Sequence, residues 1–238
     1  MQAVDAAFWV VIPASGVGLR FSSTRPKQYW SIDGKTVLEH SIERFVDHDW
    51  VNQVIVAIAD TDEHFQYLSC AKHPKVMKVQ GGETRSHSVM SALCYIEKHA
   101  KPHDWVLVHD AVRPCLHQRD LQALLQLRDD PVGGLLAIPV ADTLKKASVN
   151  NQIHETLSRE SLWAAQTPQM FRLALLSEAL ALAHSTGQTV TDESSALEAM
   201  GYHPHLVLAE HPNPKLTYAA DLSYIRSLLA IDAEVYSS

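Results

Sequence analysis

Apolar and polar segments alternate along the chain in a way that predicts strands taking turns with helices. Short apolar runs of strand length are typical of buried strands, most of them without an apolar and polar alternation. They cover Phe8 to Ile12, Val54 to Ala59, Val76 to Val79, Trp105 to Val108, Leu135 to Val140 and His205 to Leu208. Longer segments between these runs carry apolar residues at helical spacing. The pattern predicts an α/β fold.

The helical segments begin at recognisable caps. Thr36-Val37-Leu38-Glu39 is a capping box, and apolar residues follow it at helical spacing, so we interpret Gly34-Lys35-Thr36 as a turn plus a helix cap. Further helices are predicted around Asp62 to Cys70, after Gly82 with Val89, Ala92, Leu93 and Ile96 on one face, over Leu173 to Ala183, from the cap Thr191-Asp192-Glu193-Ser194 to Met200, and over Ala219 to Ile231. We expect a doubly wound, mostly parallel sheet in a single domain spanning residues 1–238.

One segment departs from this alternation. Asp142 to Arg159 alternates weakly and carries Asn150-Asn151 at its centre, as a hairpin with a polar tip does. We predict a β-arm that projects from the sheet. Because an isolated hairpin is marginally stable in water, we expect it to pack on a partner chain.

The segment after the first strand has the composition of a phosphate-binding loop. Ala14, Ser15, Gly16 and Gly18 allow the backbone to approach an anion closely, and Arg20 and Lys27 add positive charge. Phe21 stands where a dinucleotide fingerprint needs its third glycine, and the loop ends in Pro26-Lys27-Gln28 where a Walker loop needs Gly-Lys-Ser/Thr. The spacing excludes both motifs.

Two other strand ends carry polar residues, and ligands of such sheets bind beyond the carboxyl ends of the strands. Gly81 to Ser88 joins small residues to a helix N-terminus, which suits an anion or an ordinary capped turn equally. Asp110 follows the strand that ends at Val108. Alone it would be a cap or a salt-bridge partner, but its position opposite the first loop favours a Mg²⁺ ligand.

Composition narrows the possible partners and locations. The formal charge is 20 minus 27, or −7, which argues against binding nucleic acid or an acidic membrane. No apolar stretch has the length of a membrane span, and the three widely spaced cysteines favour a reducing cytoplasm over a disulfide framework. The 14 histidines include no His-Glu-x-x-His motif, so we interpret them as surface residues.

Several motifs together resemble one family. A-S-G-V-G-L-R with P-K-Q-Y, G-G-E-T-R-x-x-S, V-H-D-A-V-R-P, T-P-Q, D-E-S-S-A-L-E and N-x-K-L-T occur here in the order typical of the 2-C-methyl-D-erythritol 4-phosphate cytidylyltransferases. The resemblance covers nearly the whole chain. It implies a Rossmann-like nucleotidyltransferase that reacts CTP with methylerythritol 4-phosphate in non-mevalonate isoprenoid synthesis.

The resemblance also implies roles for individual residues. Residues with expected catalytic roles are Arg20, Lys27, Arg159 and Lys215, of which the first two stabilise charge on the α-phosphate. The expected CTP contacts are Ala14, Ser15, Gly16, Gly82, Glu83, Ser88 and Asp110, with Asp110 also holding Mg²⁺. The expected acceptor contacts are Arg113, Thr143, Arg159, Thr167, Thr191 and Lys215.

The family resemblance further implies a homodimer in which the arms clasp and Arg159 enters the partner's site. Two positions depart from the commonest family pattern: Glu83 stands where Asp is usual, and Pro214 precedes Lys215. Neither change removes a chemical group from the site.

Three alternatives stay open from the sequence. A cytidylyltransferase for another polyol phosphate, such as ribitol 5-phosphate, would share these motifs. A non-catalytic nucleotide-binding regulator could keep the glycines, but the retained cations count against it. A dehydrogenase is disfavoured by the missing third glycine.

Overall fold

The computed structural model describes residues 6–16 and 25–236, with side chains described to residue 232. Its strands, in chain order, are β1 (Phe8–Pro13), β2 (Ser31–Ile32), β3 (Lys35–Thr36), β4 (Val51–Ile58), β5 (Val76–Gln80), β6 (Trp105–Val108), β7 (Gly133–Pro139), β8 (Leu144–Ala147), β9 (Ile153–Leu157), β10 (Trp163–Arg172) and β11 (His205–Leu208). Its α-helices are α1 (Val37–Val46), α2 (Arg85–Ile96), α3 (Gln118–Leu125), α4 (Leu173–Ser185), α5 (Glu193–Ala199) and α6 (Asp221–Tyr236).

Seven of the described strands form the central sheet, in the order β11-β7-β10-β6-β1-β4-β5. The pairs β11/β7, β6/β1, β1/β4 and β4/β5 are parallel, whereas β10 runs antiparallel to both of its neighbours. The prediction of a doubly wound, mostly parallel sheet is therefore confirmed. The carboxyl ends of β1, β5, β6 and β11 lie at one edge, where the loops of interest begin.

Apolar side chains cover both faces of this sheet. Val10 and Ile12 of β1 belong to a buried cluster with α1 and α3, while Trp9 and Val11 belong to a second cluster with α2, α4 and α5. Because successive side chains of a strand point to opposite faces, β1 must be apolar throughout to bury both of its faces.

The predicted helix around Asp62 to Cys70 is wrong. Two short 3₁₀ helices, Phe65–Tyr67 and Ser69–Lys72, occupy this segment, and Leu68 between them is extended. The Glu39 carboxylate accepts hydrogen bonds from the backbone N–H of Ser69 at 2.9 Å and from its hydroxyl at 2.7 Å. The Ser69 N–H therefore bonds to Glu39 instead of continuing the helix that begins at Phe65. Local periodicity cannot reveal this contact, because Glu39 lies 30 residues earlier in the chain.

Local signals for turns and caps are confirmed. Gly34 has φ +86° in the turn that joins β2 to β3, which favours glycine there. Thr36 and Glu39 form the capping box of α1, and Asp192 caps α5 by accepting from Ser195 N–H at 3.1 Å.

The predicted hairpin is present in β8 and β9. These strands pair antiparallel with each other as a separate two-stranded sheet, and every residue of β9 is exposed. Whether this hairpin contacts a second chain stays a prediction. In the part of the chain that the structure describes, no helix combines the length and apolar character that crossing a membrane requires.

Candidate active site

Two adjoining cavities open at the carboxyl edge of the sheet. The first cavity, about 350 Å³, lies among the segments that follow β1, β5 and β6, and its lining includes Ala14, Ser15, Gly16, Lys27 and Glu83. The second cavity, about 220 Å³, is lined by residues that include Arg113, Gln166, Thr167, Gln169 and Thr191. Arg85, Asp110 and Lys215 line both cavities. The two cavities therefore meet at one charged cluster.

The wall of the first cavity is built by two loops that approach each other closely. Ser15 Oγ lies 2.6 Å from Ser88 Oγ, and the Ser15 hydroxyl donates to the carbonyl of Gly82 at 3.1 Å. A Cβ at Gly81 would lie 2.7 Å from Ser15 Cβ, and a Cβ at Gly82 would lie 2.3 Å from His87 Cβ. A side chain at Gly81 would push the two loops apart, and a side chain at Gly82 would collide with His87 of its own turn.

Asp110 lies at the centre of the charged cluster and is only 6% exposed. Its Oδ1 is 3.0 Å from Arg85 Nε, and its Oδ2 is 2.8 Å from Lys215 Nζ and 3.5 Å from Arg113 Nε. Burial alone would raise the pKa of Asp110, but the charges of Arg85, Lys215 and Arg113 outweigh burial and hold that pKa well below its usual range. Asp110 is therefore a carboxylate at neutral pH.

Buried polar residues fix the backbone around Asp110. Thr167 Oγ1 accepts from the backbone N–H of Asp110 at 3.1 Å and lies 3.1 Å from His109 Nδ1. His109 is fully buried, so the interpretation of the histidines as surface residues is wrong at this position. Its burial lowers its pKa to about 4, and the ring is therefore neutral at neutral pH. Asn213 Nδ2 donates to the Thr167 carbonyl at 3.0 Å and ties the segment before Lys215 to the same frame.

A register shift in β10 shapes the second cavity. The pairing of β10 with β7 slips between Ala165 and Gln169, which releases Gln166, Thr167 and Pro168 from the ladder. Irregular strand positions of this kind often adjoin active sites because they re-aim side chains. Here the released residues include Gln166 and Thr167 of the cavity lining.

A family model decides the relationship of this chain to known proteins. The model described as 2-C-methyl-D-erythritol 4-phosphate cytidylyltransferase matches residues 8–230. The chain belongs to this cytidylyltransferase family. A relative of the same name from Pseudomonas entomophila is 46% identical over 228 residues, covering 95% of this chain and 97% of the relative. Another, from Vibrio vulnificus, is 46% identical over 214 residues, covering 90% of each chain.

Solved structures of cytidylyltransferases agree with this assignment. A crystal structure of a 4-diphosphocytidyl-2C-methyl-D-erythritol synthase has a TM-score of 0.82 and 37% identity, and covers 94% of this chain and 99% of that one. The 2-C-methyl-D-erythritol 4-phosphate cytidylyltransferase of Francisella tularensis has a TM-score of 0.81 and 35% identity, and covers 94% of this chain and all of that one.

In this member of the cytidylyltransferase family, the structure brings most of the predicted site residues to the two cavities. Gly82 and Ser88 are exceptions, because they fasten the Ser15 loop without lining either cavity. Lys27 lines the first cavity, and its Nζ donates to the Leu216 carbonyl at 2.9 Å. Arg20 lies outside the described residues.

Thr143 and Arg159, which flank the hairpin, are not among the lining residues of either cavity of their own chain. Both are exposed, and a guanidinium N–H of Arg159 donates to the Ala141 carbonyl. Their predicted contacts with the acceptor would therefore need either a movement of the hairpin or a site on another chain.

The sequence motifs contain Arg85 and Glu193, but no site role was predicted for either residue. Arg85 begins α2, where a cation is disfavoured by the helix dipole unless an acid compensates it. A cation at the start of a predicted helix was therefore the one sequence feature that pointed to an acidic partner for Arg85. Its partner Glu193 lies 108 residues along the chain, and the pairing is visible only in the fold.

Asp110 is one carboxylate among cations, which limits how a metal could bind. Among the described residues, no group of three or more His, Cys, Asp or Glu side chains could hold a metal ion. Mg²⁺ is commonly held by one or two carboxylates together with substrate phosphates. A Mg²⁺ ion held by Asp110 and phosphate oxygens would have to compete with Arg85 and Lys215, which already contact the two Asp110 oxygens.

Proposed function

We propose that this chain transfers the cytidylyl group of CTP to 2-C-methyl-D-erythritol 4-phosphate, giving 4-diphosphocytidyl-2-C-methyl-D-erythritol and pyrophosphate in the non-mevalonate route to isoprenoids. The observation that carries the proposal is the pair of cavities sharing Arg85, Asp110 and Lys215. A donor and an acceptor bound in adjoining cavities place two anionic phosphates beside the same charged cluster. Such a CTP-dependent step is expected in the cytoplasm.

The first cavity is the proposed CTP site. Its small residues Ala14, Ser15 and Gly16 leave the backbone accessible, while Glu83 and Thr84 line the cavity from the segment after β5. Donors on backbone and hydroxyl groups suit a base edge and a ribose. Lys27 and Arg20 are proposed to face the phosphates.

The second cavity is the proposed acceptor site. Arg113 and Lys215 offer positive charge and Thr191 offers a hydroxyl group, which match a phosphate attached to a polyol. Thr167 and Gln169 support the cavity wall, because their side chains are hydrogen-bonded to other buried groups of the chain. A phosphate oxygen of the acceptor attacks the α-phosphorus of CTP, and the bond from that phosphorus to the bridging oxygen of the leaving pyrophosphate breaks.

Positioning and charge account for this chemistry without a protein nucleophile, since the acceptor phosphate is already nucleophilic. Lys27 and Lys215 stabilise negative charge that develops at the α-phosphate, and Arg20 is proposed to assist. Asp110 would hold Mg²⁺ together with phosphate oxygens. The bound ion supplies charge neutralisation between the two anionic reactants.

A homodimer completes the proposed site. All residues of β8 and β9 except Leu144 are exposed, with Ile153 67% and Val149 in the connecting turn 101% exposed. Apolar residues at such exposure favour a protein contact. We propose that the hairpin lies on a second copy of the chain, where Thr143 and Arg159 reach the partner's acceptor phosphate.

The experiment that tests the function is pyrophosphate release from CTP and Mg²⁺ with a panel of polyol phosphates. We expect release with methylerythritol 4-phosphate and much slower release with ribitol 5-phosphate. The Lys27→Ala variant, purified in the same way, controls for contaminating activity. A preference for ribitol 5-phosphate would replace the proposed acceptor, and CTP binding without release for any acceptor would favour a regulator.

A further inference from the structure

The N-termini of two helices meet beside the Asp110 cluster through one ion pair. Arg85 is the first residue of α2, which follows the loop that lines the first cavity. Glu193 is the first residue of α5, which follows Thr191 of the second cavity. The pair therefore joins a segment of the proposed CTP site to a segment of the proposed acceptor site.

The geometry of this pair fixes the guanidinium in one orientation. Arg85 Nη1 and Nη2 donate to the two carboxylate oxygens of Glu193 at 2.6 and 3.0 Å, while Nε donates to Asp110 Oδ1 at 3.0 Å. Glu193 is 1% exposed. A two-point contact with a buried carboxylate, plus a third bond to Asp110, leaves the guanidinium little freedom to rotate.

Stability alone gives a weak reason for this arrangement. A cation in the first turn of α2 opposes the helix dipole, and a buried ion pair is weak evidence for stability because desolvation offsets its attraction. Arg85 also lies beside Asp110, where Arg113 and Lys215 are already in contact. A third cation beside Asp110 is better explained by a role of Arg85 in the reaction.

The five groups together carry a small net charge. Arg85, Arg113 and Lys215 contribute three positive charges, and Asp110 and Glu193 two negative ones, so the cluster sums to +1. Neutralising Glu193 would raise the sum to +2. Anionic substrates would then meet more positive charge, and their binding would not weaken.

We propose that Glu193 and Arg85 are positioning residues for the reaction. Glu193 holds Arg85 against Asp110 Oδ1, and this contact fixes the Asp110 carboxylate. Asp110 Oδ2 then holds the Lys215 ammonium at the boundary of the two cavities. Without Glu193, the Arg85 guanidinium turns toward substrate phosphates and Lys215 loses its fixed position. This inference rests on the proposed function, since it concerns the rate of that reaction.

The test compares Glu193→Gln with Glu198→Gln, the same substitution at an exposed position of α5. We expect Glu193→Gln to lower kcat ~10- to 100-fold, as small displacements of reacting groups do, with KM for both substrates unchanged or lower. Glu198→Gln should match wild type. Because a partly unfolded preparation would lower the apparent kcat at unchanged KM, the folded fraction of each variant is measured by circular dichroism and kcat is expressed per folded molecule.

A double-mutant cycle tests whether Glu193 acts through Arg85. Arg85→Lys keeps the charge but loses the fork, and we expect it to lower kcat similarly. Adding Glu193→Gln to Arg85→Lys should then change kcat less than ~2-fold, because Glu193 no longer has a guanidinium to hold. If Glu193→Gln does not fold, Glu193→Asp replaces it in both measurements.

Three results would overturn the inference in an active wild-type enzyme: unchanged kcat in Glu193→Gln, an effect confined to a raised KM, or multiplicative effects in the cycle. A wild-type protein inactive with CTP and methylerythritol 4-phosphate would instead overturn the proposed function. The two failures are distinguishable in the same assay.

Discussion

The Asp110 cluster and the hairpin of β8 and β9 both contain predicted site residues, yet their surroundings differ completely. Asp110 is 6% exposed and contacts three cations of its own chain. Arg159, at the return end of the hairpin, is exposed, and β9 is exposed at every position. The first region is buried within its own fold, whereas the second is exposed to solvent among the described residues.

This difference indicates that the residues near Asp110 and those on the hairpin contribute to the site in different ways. Groups that need a fixed position relative to the reacting phosphates lie on strand ends and helix N-termini, which the core holds rigid. Groups on the hairpin are proposed to act on the site of a second chain. Changes in the two regions should therefore have different signatures.

The largest effect is expected for Lys27→Ala in the first region. Lys27 lines the first cavity and is proposed to stabilise charge that appears only in the transition state, so kcat should fall ~10²-fold or more while KM for CTP changes less. Steady-state kinetics measure both constants. Lys35→Ala, which removes an exposed lysine paired with Glu43, is the matched control and should retain activity. A raised KM with unchanged kcat would mean that Lys27 serves ground-state binding.

A smaller loss, with a different signature, is expected for Arg159→Ala in the hairpin. Losing a hydrogen bond to a charged group predicts a roughly 10- to 100-fold lower kcat/KM for the acceptor, with thermal stability unchanged because Arg159 is exposed. Lys146→Ala, which breaks the exposed hairpin ion pair with Glu155, is the control. Full activity of Arg159→Ala would show that Arg159 does not contribute to the acceptor site.

A third prediction concerns the frame behind Asp110 and is a dependence of stability, not of rate, on pH. Burial lowers the pKa of His109 to about 4 from its ordinary 6.5, so its neutral form stabilises the fold fully above pH 6.5. That contribution, about 3 kcal/mol, should be lost as pH falls from 6.5 toward 4. Urea unfolding of wild type and His109→Gln across this range measures it. Parallel pH profiles for the two proteins would contradict the assignment.

The sequence predicted most of the elements and the loops at the carboxyl edge of the sheet, because those features depend on local periodicity and caps, but it did not predict α3. The capping box of Thr36 and Glu39 is one example. The segment after Asp62 could not be predicted locally, since Glu39 captures Ser69 across 30 residues of sequence. The helix propensity of this segment is overridden by the hydrogen bond between Glu39 and Ser69, which forms only in the folded chain.

Site residues divide in the same way. Asp110 could be placed from its position after a strand, but two of its three cationic contacts, Arg85 and Lys215, come from distant parts of the chain. Arg85 and Glu193 occur in quoted motifs, yet their pairing depends on how α2 and α5 meet. Thr167 was predicted as an acceptor contact, and its hydrogen bond to Asp110 N–H adds a supporting role that motif matching does not reveal.

The most direct test of the division between the two regions is subunit mixing of Lys27→Ala with Arg159→Ala. In the proposed homodimer each site uses Lys27 of one chain and Arg159 of the other, so a mixed dimer has one site lacking both residues and one intact site. If half of the dimers become mixed, activity should return to about a quarter of wild type, since two-fold symmetry makes the sites equivalent. The double variant mixed with either single variant should give no recovery. Heterodimers verified by size and mass, without recovered activity, would contradict the shared site.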